Sequence, residues 1–171
     1  FLPATLATIA ADAYSGCSSL SFIQFDGNYS NSLSFSGLPA TGRLITKYVA
    51  PSFNGGTSKS SITTPTGWDR YYHYEQCKGG AWVAYSGNKL YFYAKESGKT
   101  VNLSTAETFV ATGNYGNEEY YPWMSKHTSI TSLEIDKNVS SINDFALDCS
   151  MYASGATEYG FNSLETISVE S

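Results

Sequence analysis

One spacing of apolar residues occurs twice in this chain of 171 residues, and it limits what the chain can fold into more than any other feature. Near the start, Leu6, Ile9, Ala13 and Tyr14 follow one another at intervals of three, four and one. Near the far end, Val139, Ile142, Ala146 and Leu147 repeat those intervals. A cysteine follows each set (Cys17 and Cys149), and then a second matched trio: Leu20, Ile23 and Phe25 against Leu164, Ile167 and Val169. The copies differ mainly in their connection, three steps from Cys17 to Leu20 but fifteen from Cys149 to Leu164. The stretch MYASGATEYGFN therefore reads as a surface loop inserted into the second copy. Self-similarity of this kind marks units that bury their apolar faces on one another rather than alone.

Each unit has two parts. The pattern L-x-x-I-x-V is that of a short strand whose alternate side chains face inward. Apolar spacings of three to four in V-x-x-I-x-x-x-A-L predict a short helical turn. The interior position beside that turn has room for a small apolar side chain only, and cysteine serves as a compact hydrophobe. Cys17 and Cys149 are thus expected as buried thiols in separate coils. With Cys77 the chain holds three cysteines and no close pair, which is not a disulfide framework. His73 and Cys77, four apart in HYEQC, have the one metal-like spacing, but a second histidine elsewhere leaves too few ligands for tetrahedral zinc.

The stretch IAADAYSGCSSLSFIQF, residues 9–25, resembles the repeat of the BspA-like leucine-rich-repeat family, whose units read approximately I-x-x-x-A-F-x-G-C-x-S-L-x-x-I-x-I. Ala13, Tyr14, Gly16, Cys17, Leu20, Ile23 and Phe25 carry the likeness. The second copy resembles it too, with the loop insertion and a missing glycine as departures. TGRLITKYVAPSF…TPTGW is similar to segments that close such arrays, and NKLYFYAKESG…YYPWMSKHTSITSLEI to strand-rich segments that lead into them. The resemblance implies a β-rich α/β solenoid: leucine-rich-repeat coils, each a short strand plus a short helical turn, around a β-hairpin and β-sheet central region. It also implies adhesion and protein binding, as in the surface and secreted proteins of gut and oral bacteria and of some parasitic protists. Residues 1–76 would form a partial coil with its closing β segment, and 77–171 a β-rich lead-in followed by the second coil.

The residues of the middle read as β in their own right. AWVAYSGNKLYFYA has two alternating aromatic and aliphatic runs around Ser86-Gly87-Asn88, a hairpin signal. GRLITKYVA and TFVAT are further strand signals, and SFNGGTSKSSITTPTG is a polar loop.

Charged residues make up only 15% of the chain, and the long polar stretches are rich in Ser, Thr, Gly and Asn. Such a surface is more usual outside cells, and an extracellular location is expected. A net charge of −5 with ten basic residues argues against a nucleic-acid groove, which needs clustered Lys and Arg. No apolar run approaches the ~20 residues that span a bilayer, and the opening FLPATLATIAADAYSG lacks the basic and uninterrupted apolar regions of a signal peptide.

Nothing points to catalysis or to a cofactor. Glu118 and Glu119 are adjacent, and neighbours on an extended segment face opposite ways, so they are badly placed to flank one glycosidic bond. There is no G-x-S-x-G elbow, and NGG and KGG lack the helix and lysine of a phosphate loop. Binding is the better expectation. Tyr115, Glu118, Glu119, Tyr120, Tyr121 and Trp123 form one candidate surface, and Tyr71, Tyr72 and Tyr74 are clustered nearby in sequence with HYEQC. Tyrosine and tryptophan anchor protein interfaces or stack on sugars while their polar tips stay wet, so a carbohydrate-binding module is the rival to a protein-binding one. Asn28, Asn102 and Asn138 lie in glycosylation sequons, relevant in a eukaryotic source. Finally, the chain starts inside one coil and stops inside another. Split coils of this kind expect head-to-tail stacking of copies into a filament, with other copies or host and bacterial surface proteins as partners.

Overall fold

The computed structural model describes residues 1–26, 35–46, 64–101, 128–142 and 161–171, and of Tyr72, His73 and Glu75 the backbone alone. The chain forms two compact units, Phe1–Tyr74 and Glu75–Ser171, and passes from one to the other inside a strand.

The first unit is built on β1 (Phe22–Phe25), β2 (Gly42–Thr46) and β3 (Trp68–Gln76). They are parallel, with Ile23 beside Leu44, and Gln24 beside Ile45 beside Tyr71. Parallel strands are buried on both faces, which is why FIQF and GRLIT carry apolar or hydrogen-bonding side chains at consecutive positions. Ile23, Phe25, Leu44 and Trp68 form the core, and Leu2, Leu6, Ile9, Tyr14, Leu20, Phe35 and Leu38 pack against it half-buried. Leu2 lies along the outer side of β1: its N–H donates to Gln24 O and its C=O accepts from Asp26 N. Gly42 is fixed by a close approach. The Trp68 ring lies over it, held by an indole N–H donated to Pro39 O at 2.8 Å, and a Cβ at position 42 would come within 2.6 Å of that ring.

Gln24 is fully buried in this unit and needs a partner there. Its amide donates to Asp26 Oδ1 at 2.7 Å, and the Tyr74 hydroxyl donates to the same oxygen at 2.7 Å. The three side chains tie the end of β1 to β3.

The second unit centres on a hairpin, β4 (Trp82–Ser86) and β5 (Lys89–Tyr93). Gly87 and Asn88 close it, and Gly87 has a φ of 57°, the left-handed conformation that a two-residue turn asks of its first residue. A short β6 (Lys99–Val101) follows. β7 (Ser132–Ile135) lies parallel to β5, β8 (Val139–Ile142) pairs with β6, and β9 (Thr166–Val169) lies parallel to β7. Val83, Leu90, Phe92, Leu133 and Ile135 turn one sheet face onto Cys77, Ala81, Val101 and Ile130 in a buried core. On the other face Tyr91 and Tyr93 stack at 5.2 Å, Trp82 stacks on Tyr93 at 6.4 Å, and the Tyr91 hydroxyl donates to Asp136 at 3.3 Å.

The α/β solenoid expected from the repeats does not form. The described residues are almost entirely strands in small sheets, with no α-helix among them. In the opening segment the backbone bonds are separate three-residue steps (Ala13 to Ala10, Ser15 to Asp12, Cys17 to Tyr14) rather than a helical series. Asp12 and Gly16, at φ of 66° and 79°, break any right-handed run. In the second copy Val139 and Ile142 belong to β8 instead of a helical turn, because pairing with β6 extends them. Ala146, Leu147 and Cys149 lie outside the described residues.

Burial, then the hydrogen bond to Asp26 and the charge of its carboxylate, raise the Tyr74 hydroxyl well above its ordinary pKa. A raised value in the folded state means that folding favours the protonated phenol. Its contribution is complete below the unfolded value of about 10 and is lost as the pH rises beyond it. We therefore expect wild-type stability to fall more steeply above pH ~10 than that of Tyr74→Phe, with parallel profiles below it. Urea midpoints across that range check this, and identical slopes would refute it.

Candidate functional site

The second unit's core is a set of rows running across parallel strands. Register places Leu90 beside Leu133 beside Ile167, and Phe92 beside Ile135 beside Val169. The first row is 0%, 1% and 56% exposed, the second 0%, 9% and 68%. Each row starts in the core and ends in solvent. β9 is the last strand of its sheet, so no strand among the described residues covers its outer side.

The backbone of β9 matches its side chains in being half-used. Thr166 N donates to Thr131 O at 3.1 Å and Glu170 N to Ile135 O at 2.9 Å. In a parallel ladder alternate residues bond to the same side. Ile167 and Val169 are then the residues whose N–H and C=O point away from β7. An open strand edge with exposed apolar side chains is a template for pairing with another chain. The electrostatic setting is acidic: Glu165 and Glu170 stand at the two ends of β9, and Glu134 of β7 is the register neighbour of Ser168.

The two sequence copies thus meet opposite fates. Ile23 and Phe25 are buried, while the matching Ile167 and Val169 are the exposed ones. The difference lies in what covers them, because Leu2, Leu6, Ile9, Tyr14 and Leu20 pack against the core cluster that holds Ile23 and Phe25. In the second copy Val139, Ile142 and Leu164 pack half-buried against the core, and Ile167 and Val169 stay exposed beside them in sequence. Cys17 is exposed, as is Ala13, which corrects the expectation of a buried thiol: the turn that carries them packs Tyr14 on the core and leaves Ala13 and Cys17 at the surface.

Other expected sites come apart. Tyr71 is fully buried and Tyr74 half-buried on Asp26, so they form no exposed tyrosine surface. Tyr115, Glu118, Glu119, Tyr120, Tyr121 and Trp123 lie outside the described residues, as do Asn28 and Asn102. Asn138 has its amide engaged: Nδ2 donates to Ala94 O at 3.2 Å and Oδ1 accepts from Ser97 at 3.1 Å. That sequon serves the turn between β7 and β8. Trp82 does not offer a free face for a sugar, with Tyr93 stacked on it and the Lys95 ammonium 5.5 Å from its ring centre. An open groove of about 440 Å³ lies between Phe35, Leu38, Pro39 and Pro65, with Thr64 and Thr66 as its hydroxyl groups and no charged side chain in its lining. Among the described residues no group of three or more His, Cys, Asp or Glu is placed to hold a metal, and no helix is long and apolar enough to cross a membrane.

Sequence reasoning missed the open edge because the apolar pattern of β9 is the same as that of β1. Spacing reports which residues share a face, and it is silent on whether that face is covered. No family model, curated protein or solved structure matches this chain. The likeness to BspA-like repeats rests on the quoted residues alone.

The rows predict a contrast between neighbours of equal chemistry. Leu133→Ala should cost about 2–5 kcal/mol, as for other buried leucines, whereas Ile167→Ala, one strand outward, should change stability by no more than about 0.5 kcal/mol. Chemical denaturation of the two variants measures this. Equal losses would mean that β9 is covered.

Proposed function

We propose that this chain is a non-enzymatic, extracellular protein-interaction module acting in adhesion, and that the open edge of β9 is its contact surface. The observation that carries the reading is the exposure of Ile167 and Val169 at the ends of rows that are otherwise buried. Isolated exposed apolar residues are ordinary, but these two are neighbours on one strand face and lie beside a backbone edge with which no strand among the described residues pairs. The low charge content and the Ser-, Thr-, Gly- and Asn-rich polar stretches support an extracellular setting.

Head-to-tail stacking of copies into a filament is a separate reading, which sedimentation and electron microscopy of the chain at high concentration test. The carbohydrate-binding rival gains no support from Tyr71, Tyr74 or Trp82, all of which are engaged within the fold. An interaction through β9 needs neither.

The test is binding of the labelled chain to intact bacterial and epithelial cells. The double variant Ile167→Lys, Val169→Lys should bind about tenfold or more weakly than wild type, with its urea midpoint unchanged. Equal binding by a folded double variant would overturn the assignment of β9, and retained glycan-array signals in that variant would favour the carbohydrate reading.

A further inference from the structure

We infer that β9 takes up, by strand addition, an extended segment of another protein that has apolar residues at alternate positions and basic residues at its flanks. This rests on the proposed interaction role of β9 and specifies the partner.

Three features of the edge define that chemistry. The first is the backbone. The N–H and C=O groups of Ile167 and Val169 point outward along an extended strand, and only another extended strand presents matching groups at matching intervals. The second is the pair of unfinished rows. A strand that continues Leu90–Leu133–Ile167 and Phe92–Ile135–Val169 must carry two apolar side chains, two residues apart, on the core side. Its intervening residues fall beside Thr166 and Ser168, in rows that are hydroxyl-bearing and exposed on β9, so polar residues fit there. The third is charge. Glu165 and Glu170 bracket the strand, so a Lys or Arg two positions outside the apolar residue beside Ile167, and one position outside the apolar residue beside Val169, lies opposite a carboxylate.

The same criteria set a second copy of this chain aside. Its own β9, laid antiparallel with Ile167 opposite Val169, would continue the rows but would set Glu165 of each copy next to Glu170 of the other. In its other edge strand, β1, Ile23 and Phe25 are already buried and Leu2 is bonded along the outer side. Pairing Ile23 with Ile167 and Phe25 with Val169 in parallel would also bring Asp26 opposite Glu170, and like charges directly opposite destabilise a strand pair.

The experiment uses the full chain and a fluorescein-labelled peptide that contains Lys-Thr-Val-Thr-Val-Lys, followed by fluorescence anisotropy. Saturable binding is expected. It should weaken about tenfold or more in each of three cases: when the peptide's Val amides are N-methylated, when its lysines become glutamates, and when the protein carries Ile167→Thr with Val169→Thr. The threonines keep the β-branched side chain and its strand propensity, so that variant should fold, and the two modified peptides test the idea on unaltered protein. Full binding by the N-methylated peptide would overturn strand addition, and full binding by the glutamate peptide would overturn the basic partner. Absence of peptide binding beside β9-dependent cell binding would overturn this inference and leave the interaction role standing. Absence of both would remove both. Sedimentation that shows a β9-dependent dimer, with peptide unable to compete, would give the edge to a second copy instead.

Discussion

The second unit depends on rows of apolar side chains held in register across parallel strands. Parallel pairing of β5, β7 and β9 without offset puts Leu90, Leu133 and Ile167 in one line and Phe92, Ile135 and Val169 in another. Burying such a row removes water from both neighbours of its middle member, so β7 gains most and β9 least. At ~25 cal/mol per Å² of apolar surface, a covered isoleucine contributes on the order of 1.5–3 kcal/mol that an uncovered one does not. The exposed ends of the rows therefore leave apolar surface whose burial free energy the described fold does not collect.

The first unit solves the same problem from within. Its rows end at β1, and there the residues ahead of the strand turn back, with Leu2 joining the edge and Leu6, Ile9, Tyr14 and Leu20 packing against the cluster that holds Ile23 and Phe25. Gln24, buried in β1, is accommodated because its amide donates to Asp26, whose carboxylate also accepts from the Tyr74 hydroxyl. A polar group at that depth is tolerable only within a satisfied set.

Much of the strand pattern was legible in the residues. The hairpin around Gly87-Asn88 follows from turn chemistry, and β2 from the branched run in GRLITKYVA. The helical turns were misjudged for a physical reason. Apolar spacings of three and four fit one turn of helix, but they equally fit a chain that bends at Asp12 and Gly16, since side chains on either side of a bend can point into one core. For Val139 and Ile142 the competing influence was a partner strand, Lys99–Val101, whose proximity no local pattern reveals. The edge at β9 was illegible for a related reason: burial belongs to neighbours, and Ile167 and Val169 have the same sequence signature as Ile23 and Phe25. The network of Gln24, Asp26 and Tyr74 joins residues 48 positions apart and leaves no local mark.

The most direct test of the open edge is amide hydrogen exchange in the free chain, resolved residue by residue by NMR. If β9 is paired on one side only, protection must alternate along it: Ser168 and Glu170, whose N–H groups face β7, exchange slowly, and Ile167 and Val169 exchange fast, while Leu133 and Ile135 in the strand behind are all slow. Uniform protection of Ile167 through Glu170 would show that something already covers the outer side, and the account of β9 as an unoccupied docking strand would be wrong.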